Sequence, residues 1–194
     1  EVECSATTAW SGFFEQANYQ ESCPASSIIH LKFPRKDGKG VIQFTWLDGG
    51  LLPQRPQELL PEEMLGDVDG GYLFEGTKGK LMGNYNMAPV LIPTARMKED
   101  ILPASTIPRV QGAEAGHYTQ WVEACKKGYG QMEVSSPFEY AGPMTEAILM
   151  GNLALRSYAL RSPDGNSFPG RKKLLWDARN MKITNFGDAN QYVK

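Results

Sequence analysis

Histidine is scarce in this chain, with two among 194 residues, and cysteine is little commoner at three. Mechanisms that lean on imidazole bases or metal ligands therefore have only His30 and His117 to draw on. Cys4, Cys23 and Cys125 are odd in number, far apart and without Cys-x-x-Cys spacing, so neither a disulfide framework nor a zinc site is indicated. A Cys4 to Cys23 bridge is the one pairing left open, and Cys4 and Cys125, set in apolar patterns, read as small buried side chains. Charge of one sign is lacking too: the net charge is −2, with 22% charged residues, which gives no basis for a nucleic-acid or membrane-surface partner. Arg35-Lys36 and Arg171-Lys172-Lys173 are the densest basic spots, and both flank turns and read as solvated loop ends. No apolar run approaches the roughly 20 residues of a membrane helix, and no signal peptide opens the chain. The start at Glu1, directly in a strand-like run, reads as a piece of a longer protein.

Familiar ligand loops are missing as well. Gly38-Lys-Gly40 and Gly128-Tyr-Gly130 lack the third glycine that lets a helix pack close beneath a pyrophosphate, so no dinucleotide site is visible. Gly165-Asn-Ser-Phe-Pro-Gly-Arg-Lys172 has the glycine spacing of a phosphate loop. It places Arg where Lys is needed, lacks the following Ser or Thr, and carries a proline that removes a phosphate-binding N–H. Asp67-Val-Asp69 begins like a calcium loop, but Lys78 stands where the bidentate Glu belongs.

What is present is a hairpin-rich first half and a helical second half. Residues 2–8 read as a strand. Residues 26–33 and 41–46, rich in β-branched and aromatic residues, flank an Asp37-Gly38 turn and predict a hairpin. Residues 72–75 and 80–82 form a tighter pair, and 90–92, between Pro89 and Pro93, an edge strand. The long connection 47–71 predicts at most a short helix over 57–65, broken at Pro61. A helix over 114–127 places Tyr118, Trp121, Val122 and Cys125 on one face that should be buried. A second helix starts from a Ser136-Pro-Phe-Glu139 capping box, bends or restarts at Pro143 and runs to about Tyr158. It is apolar enough to need cover on most sides. Two short strands, 172–177 and 180–185, and a terminal helix near 188–193 complete the chain. The expected class is α+β: a mostly antiparallel, open-faced sheet with helices packed on one face and the other face, unusually apolar, free for a second subunit. Length, and the absence of repeats or a linker, fit a single domain over 1–194.

Five side chains are candidates for substrate contact. Trp46-Leu-Asp48-Gly-Gly50 ends a strand with an aromatic face and a carboxylate, a set able to stack on and hydrogen-bond a sugar ring, or equally a core tryptophan with a turn aspartate. Arg55 either holds an anionic group or braces its loop. His117 starts a helix beside Gly116, where an imidazole bonds a sugar hydroxyl or is satisfied by backbone or water. Tyr140, before the Ala-Gly-Pro bend, faces a cleft or anchors its helix, and His30 reads as a structural strand residue.

Several segments together resemble the second domain of the Gfo/Idh/MocA family, the glucose-fructose oxidoreductase and inositol dehydrogenase relatives. They are Val2-Glu-Cys-Ser-Ala6, Ser26-Ser-Ile-Ile-His30, Glu75-Gly-Thr-Lys-Gly-Lys80, Gly116-His-Tyr-Thr-Gln-Trp-Val-Glu-Ala-Cys125, Tyr140-Ala-Gly-Pro-Met-Thr-Glu146, Gly151-Asn-Leu-Ala-Leu-Arg156 and the tail. The resemblance implies a C-terminal substrate-binding and oligomerisation domain of a bacterial NAD- or NADP-dependent sugar or polyol dehydrogenase. Its partners would be its own N-terminal nucleotide-binding domain, a second copy meeting it through the sheet face, and a sugar-like small molecule. The family's Glu-Lys-Pro lysine and its Asp/His helix pair do not occur here, so no catalytic residue is carried over, and this polypeptide alone is expected to be inactive. Bacterial members can carry export signals ahead of the first domain, which leaves cytoplasm and periplasm both open. The reading from another class is a non-catalytic carbohydrate-binding or scaffold protein on the same fold.

Overall fold

The computed structural model describes residues 1–17, 21–84, 88–98 and 103–193. It is an α+β protein with open antiparallel sheets, and its contacts gather in two compact units, Glu1–Leu52 with Gly112–Lys194, and Pro53–Gln111.

In the first unit, β1 (Val2–Ala6) is followed by a small irregular hairpin of β2 (Trp10–Gly12) and β3 (Glu15–Gln16). β4 (Ser27–Pro34) and β5 (Val41–Leu47) then form the expected long hairpin, and β1 pairs with β4 to complete the order β1-β4-β5, all antiparallel. The turn between β4 and β5 is set by Asp37, which accepts from Arg35 Nε and Nη2 at 3.0 and 2.6 Å and from the Lys39 N–H. The Arg35 guanidinium holds that carboxyl below the usual carboxylate range.

Register decides what each face carries, because residues directly opposite share a side. Val2 and Cys4 face the same way as Leu31 and Ile29, and those align with Phe44 and Trp46. The reverse face carries Glu3, Ser5, His30, Lys32, Gln43 and Thr45 together with Ile28, Val41 and Leu47, with His30 Nδ1 3.1 Å from Thr45 Oγ1. The free face of this sheet was expected to be unusually apolar and is instead mixed, while on the other face α2 covers β1 and β4 and leaves Phe44 and Trp46 of β5 exposed.

The second unit contains β6 (Tyr72–Gly76), β7 (Gly79–Gly83) and β8 (Val90–Ile92), an antiparallel meander with β8 at its edge. One face carries Leu73, Met82, Val90 and Ile92, which pack with Leu59 and Leu65 of the long connection. The opposite face shows Tyr72 and Phe74 to solvent, their rings edge-to-face at 5.4 Å. The helix expected over 57–65 does not form. That stretch is a series of turns, because its ordering comes from side chains: Leu60 N–H bonds Glu63 Oε2 at 2.8 Å, Thr94 donates to the same carboxylate, and Lys80 pairs with Glu58 at 2.8 Å and Glu75 at 3.3 Å. The Thr94 hydroxyl, followed by the Leu60 N–H, holds the Glu63 carboxyl below its ordinary range.

The chain returns to the first unit through α1 (Gly116–Lys127), whose expected buried face is exposed: Tyr118 at 69%, Trp121 at 62%, with Val122 and Cys125 also open to solvent. The helical periodicity is real, but nothing among the described residues covers it. Gln120 Oε1 ties α1 to the next loop by accepting from the N–H and hydroxyl of Ser135, both at 2.8 Å.

α2 (Phe138–Tyr158) continues through Pro143, so the helix does not restart there. The capping box is also absent: Pro137 occupies the cap position and no side chain caps the end. Pro143, at the sixth helical position, has no N–H to donate to the Glu139 carbonyl, so one intrahelical bond is lost. Met150, Gly151, Leu153, Ala154 and Ser157 are buried, while Met144, Ile148 and Leu149 are exposed, so α2 is covered on one side only. Gly151 fixes its approach to the sheet, since a Cβ there would come within 2.9 Å of Ile29 Cδ1.

The tail closes the core. β9 (Trp176–Asp177) and β10 (Lys182–Ile183) are only two residues each because asparagine side chains supply the rest of the ladder. Asn185 accepts from Leu175 N–H and donates to Lys173 O, both at 2.8 Å; Asn190 does the same to Ile183 at 2.7 and 2.9 Å. Trp176 Nε1 reaches Glu146 of α2 at 2.7 Å, and a short 3₁₀ turn, Gly187–Tyr192, ends the chain's regular structure.

All three cysteines are free, which removes the Cys4 to Cys23 bridge, and Cys125 is exposed rather than buried because the face of α1 that carries it is uncovered. Burial, and secondarily the charge of Glu3, pushes the Cys4 thiol from 9.0 up to about 12. Ellman titration of the native chain is expected to label Cys23 and Cys125 quickly and Cys4 only on unfolding; rapid labelling of all three would contradict the placement of Cys4. The same shift has a pH consequence. Above pH 9.0 the unfolded chain gives up the Cys4 proton while the folded chain keeps it, so this contribution to stability is lost as pH rises toward about 12.

Candidate functional site

The residues singled out from sequence do not converge. Trp46 lies on the edge strand β5 opposite Ile29 and is 49% exposed, which leaves an aromatic face free at the margin of the core. Asp48 is committed to structure. Its Oδ1 accepts from Ser27 N–H at 2.6 Å and its Oδ2 from Ser27 Oγ at 2.8 Å, while its own N–H donates to Ser27 O. Ser27 is buried, so removing the carboxylate orphans its polar groups. Asp48→Ala is expected to cost roughly 1–3 kcal/mol, whereas Asp48→Asn, which can accept from the N–H and donate to the hydroxyl, should cost clearly less. Chemical denaturation of the two variants checks this, and equal losses would remove the capping role.

Arg55 belongs to the second unit, where its Nη2 donates to the carbonyls of Leu60 and Glu63, the latter at 2.5 Å. It braces its loop. His117 is the second residue of α1, exposed, with its ring 3.9 Å from that of Tyr118. Tyr140, in the first turn of α2, is exposed. None of the five lines the cleft described next.

That cleft, of about 710 Å³, lies at the C-terminal end of α2 between the segment after β1 and the loop returning from the helix. Arg156, Arg161 and Arg171 line it, together with the rings of Tyr158 and Phe168. The rings hold the guanidiniums. Arg171 lies 3.6 Å from the Phe168 centroid and 4.4 Å from that of Tyr158, Arg161 is 4.9 Å from Phe168, and Arg156 is 4.6 Å from Tyr192. Arg161 Nη2 also donates to Gln16 Oε1 at 3.2 Å. The loop that presents Phe168 and Arg171 is fixed by a Ser162 turn: Ser162 N–H donates to Ser167 O, and Asp164, whose carboxyl the Ser162 hydroxyl holds below its usual range, accepts from Asn166 N–H.

Sequence reading missed this set, taking Arg171-Lys172-Lys173 for solvated loop ends. The available signal was the interleaving of arginine and aromatic residues at 156, 158, 161, 168 and 171. Contiguous basic runs were the wrong pattern to look for, because a loop brings these residues together.

A dinucleotide does not fit the glycine-bearing segments. Gly38 and Gly40 sit in the β4–β5 hairpin turn, and Gly128 and Gly130 follow the end of α1, so neither pair opens a helix whose N-terminus meets a pyrophosphate. Among the described residues no group of His, Cys, Asp and Glu is placed to hold a metal ion, and no helix is long and apolar enough to cross a membrane. Set against known proteins, the chain matches no family model and no curated protein.

Proposed function

We propose that this chain is the substrate-binding and subunit-interface domain of an NAD- or NADP-dependent oxidoreductase of the Gfo/Idh/MocA type, acting on a sugar, polyol or related glycoside. One observation carries the reading: apolar surface is left uncovered on α1 at Tyr118 and Trp121, on α2 at Met144, Ile148 and Leu149, and on β6 at Tyr72 and Phe74. Soluble proteins seldom expose so many large apolar side chains unless a partner covers them. In this reading the partners are a nucleotide-binding domain and a second copy of the chain. The reaction class, and the placing of the dinucleotide on the nucleotide-binding domain, come from the sequence resemblance.

The test is the mass and activity of the protein as its natural host makes it, captured with an antibody to this domain. A product longer by a nucleotide-binding domain, roughly 100 to 200 residues, that reduces NAD or NADP with a sugar or polyol supports the proposal. A product of this size, or a longer one without dinucleotide-dependent turnover on such substrates, overturns it. The second reading, a non-catalytic carbohydrate-binding or scaffold protein, draws on the same exposed apolar surface and differs in expecting no dinucleotide-dependent turnover.

A further inference from the structure

We propose that the cleft at the C-terminal end of α2 is an oxyanion site, taking a small ligand that carries a carboxylate or a phosphate ester. The inference does not rest on the oxidoreductase reading, since it concerns only what this cleft binds.

The charge in the cleft is unbalanced. Three guanidiniums line it against one carboxylate, Glu21, in a chain whose net charge is −2. Among the described residues none of Arg156, Arg161 and Arg171 makes an ion pair. Lys80, Lys126 and Lys173, by contrast, each have a carboxylate.

The guanidiniums are also arranged for use. Each lies within 5 Å of an aromatic ring centroid, a contact that orders a long side chain without using its N–H donors. Of the five N–H donors on each, Arg161 uses one toward Gln16 and Arg171 one, at 3.5 Å, toward Tyr158 O. Arg161 and Arg171 both lie against the Phe168 ring, and neither forms an ion pair among the described residues, Glu21 being the one carboxylate of the lining. An oxyanion accepting from both supplies a counter-charge and the planar, bidentate geometry that guanidinium matches. Asn152 and the apolar flank of Leu155 complete a wall suited to the uncharged part of a ligand. The volume, about 710 Å³, lies within the range of small-molecule sites, roughly 300–1,000 Å³.

Calorimetric titration of the 194-residue chain at low salt tests the proposal, with inorganic phosphate, glucose 6-phosphate, gluconate and neutral glucose as probes. At least one anion is expected to bind, more weakly as salt rises, with glucose showing no comparable affinity. Preference for the two phosphates assigns a phosphate ligand, and preference for gluconate a carboxylate. Arg156→Gln and Arg161→Gln should each weaken that anion about tenfold or more, the cost of one charged hydrogen bond. Both substitutions fall at exposed positions, and a thermal melt confirms that each variant remains folded. Failure of all three anions to bind, or binding that both variants leave unchanged, overturns the proposal.

Discussion

Gly170→Ala is expected to unfold the tail of this protein or come close to it. A Cβ at that position would lie 1.9 Å from the carbonyl oxygen of Ser157 and 2.6 Å from its carbonyl carbon. Those atoms are backbone in the last turn of α2, and no rotamer change moves them out of the way. Gly170 is itself buried, so this turn cannot swing outward without opening the core that Leu174 and Ile183 help to fill. Overpacking a core with movable side chains costs about 1–3 kcal/mol, and a fixed backbone clash belongs at or beyond the upper end of that range. Gly165→Ala is the proper comparison. Gly165 has a positive φ of 73° but open space where a Cβ would sit, so its penalty is conformational alone, about 1–2 kcal/mol. Urea unfolding of the two variants separates the effects; a Gly170→Ala protein no less stable than Gly165→Ala would mean the contact relaxes. Because Arg171 follows directly, Gly170→Ala should also disturb the arginine cleft even where the rest of the chain survives.

Much of the fold was legible in the sequence because it depends on near neighbours. The β4–β5 hairpin follows from β-branched runs on either side of Asp37-Gly38, and the register then assigns Ile29 inward and His30 outward with no further information. The β6–β7 pair and β8 follow from the same local rules. Where the reading failed, the pattern named a face or an end but not what covers the one or satisfies the other. Tyr118, Trp121, Val122 and Cys125 have helical spacing, but spacing says only that a face is apolar, and burial needs an element to cover it. The capping box over Ser136 to Glu139 lost to a proline at the cap position, and the expected helix over 57–65 lost to side chains such as Glu63 and Thr94 that satisfy the backbone in turns. The candidate site was the least legible. Asp48 was placed correctly at a strand end, but its carboxylate is occupied by Ser27, 21 residues earlier, a contact that only the β4–β5 register creates. The arginine cleft depends on a 159–171 loop folding back on α2, which no periodicity announces.

Leu174→Ala tests whether the tail is part of the core or an appendage to it. Leu174 is fully buried, and its backbone exchanges hydrogen bonds with Val2, N–H to O at 2.8 Å one way and 3.0 Å the other. Its side chain joins Val2, Ile29, Leu31, Met150 and Ala154 in one cluster, so it meets the first strand, the hairpin and α2 together. Truncation removes three side-chain carbons, one methine and two methyls, and leaves a cavity beside a helix that Gly151 already brings close to Ile29. The expected loss is roughly 2–5 kcal/mol, a large part of the about 5–15 kcal/mol that holds a domain together. At a few degrees per kcal/mol for a chain of this size, the melting midpoint should fall by roughly 10 °C. Leu174→Met, which nearly conserves volume, should cost less than about 1.5 kcal/mol, and Leu52→Ala, at an exposed position, should stay within about 0.5 kcal/mol. If Leu174→Ala melts with Leu52→Ala, the tail contributes nothing to the cooperative unit. If it melts far below, Val2 at one end of the chain and Leu174 near the other are coupled through one core, and Phe168 and Arg171 just ahead of Leu174 are anchored on both sides, as a preformed binding cleft requires.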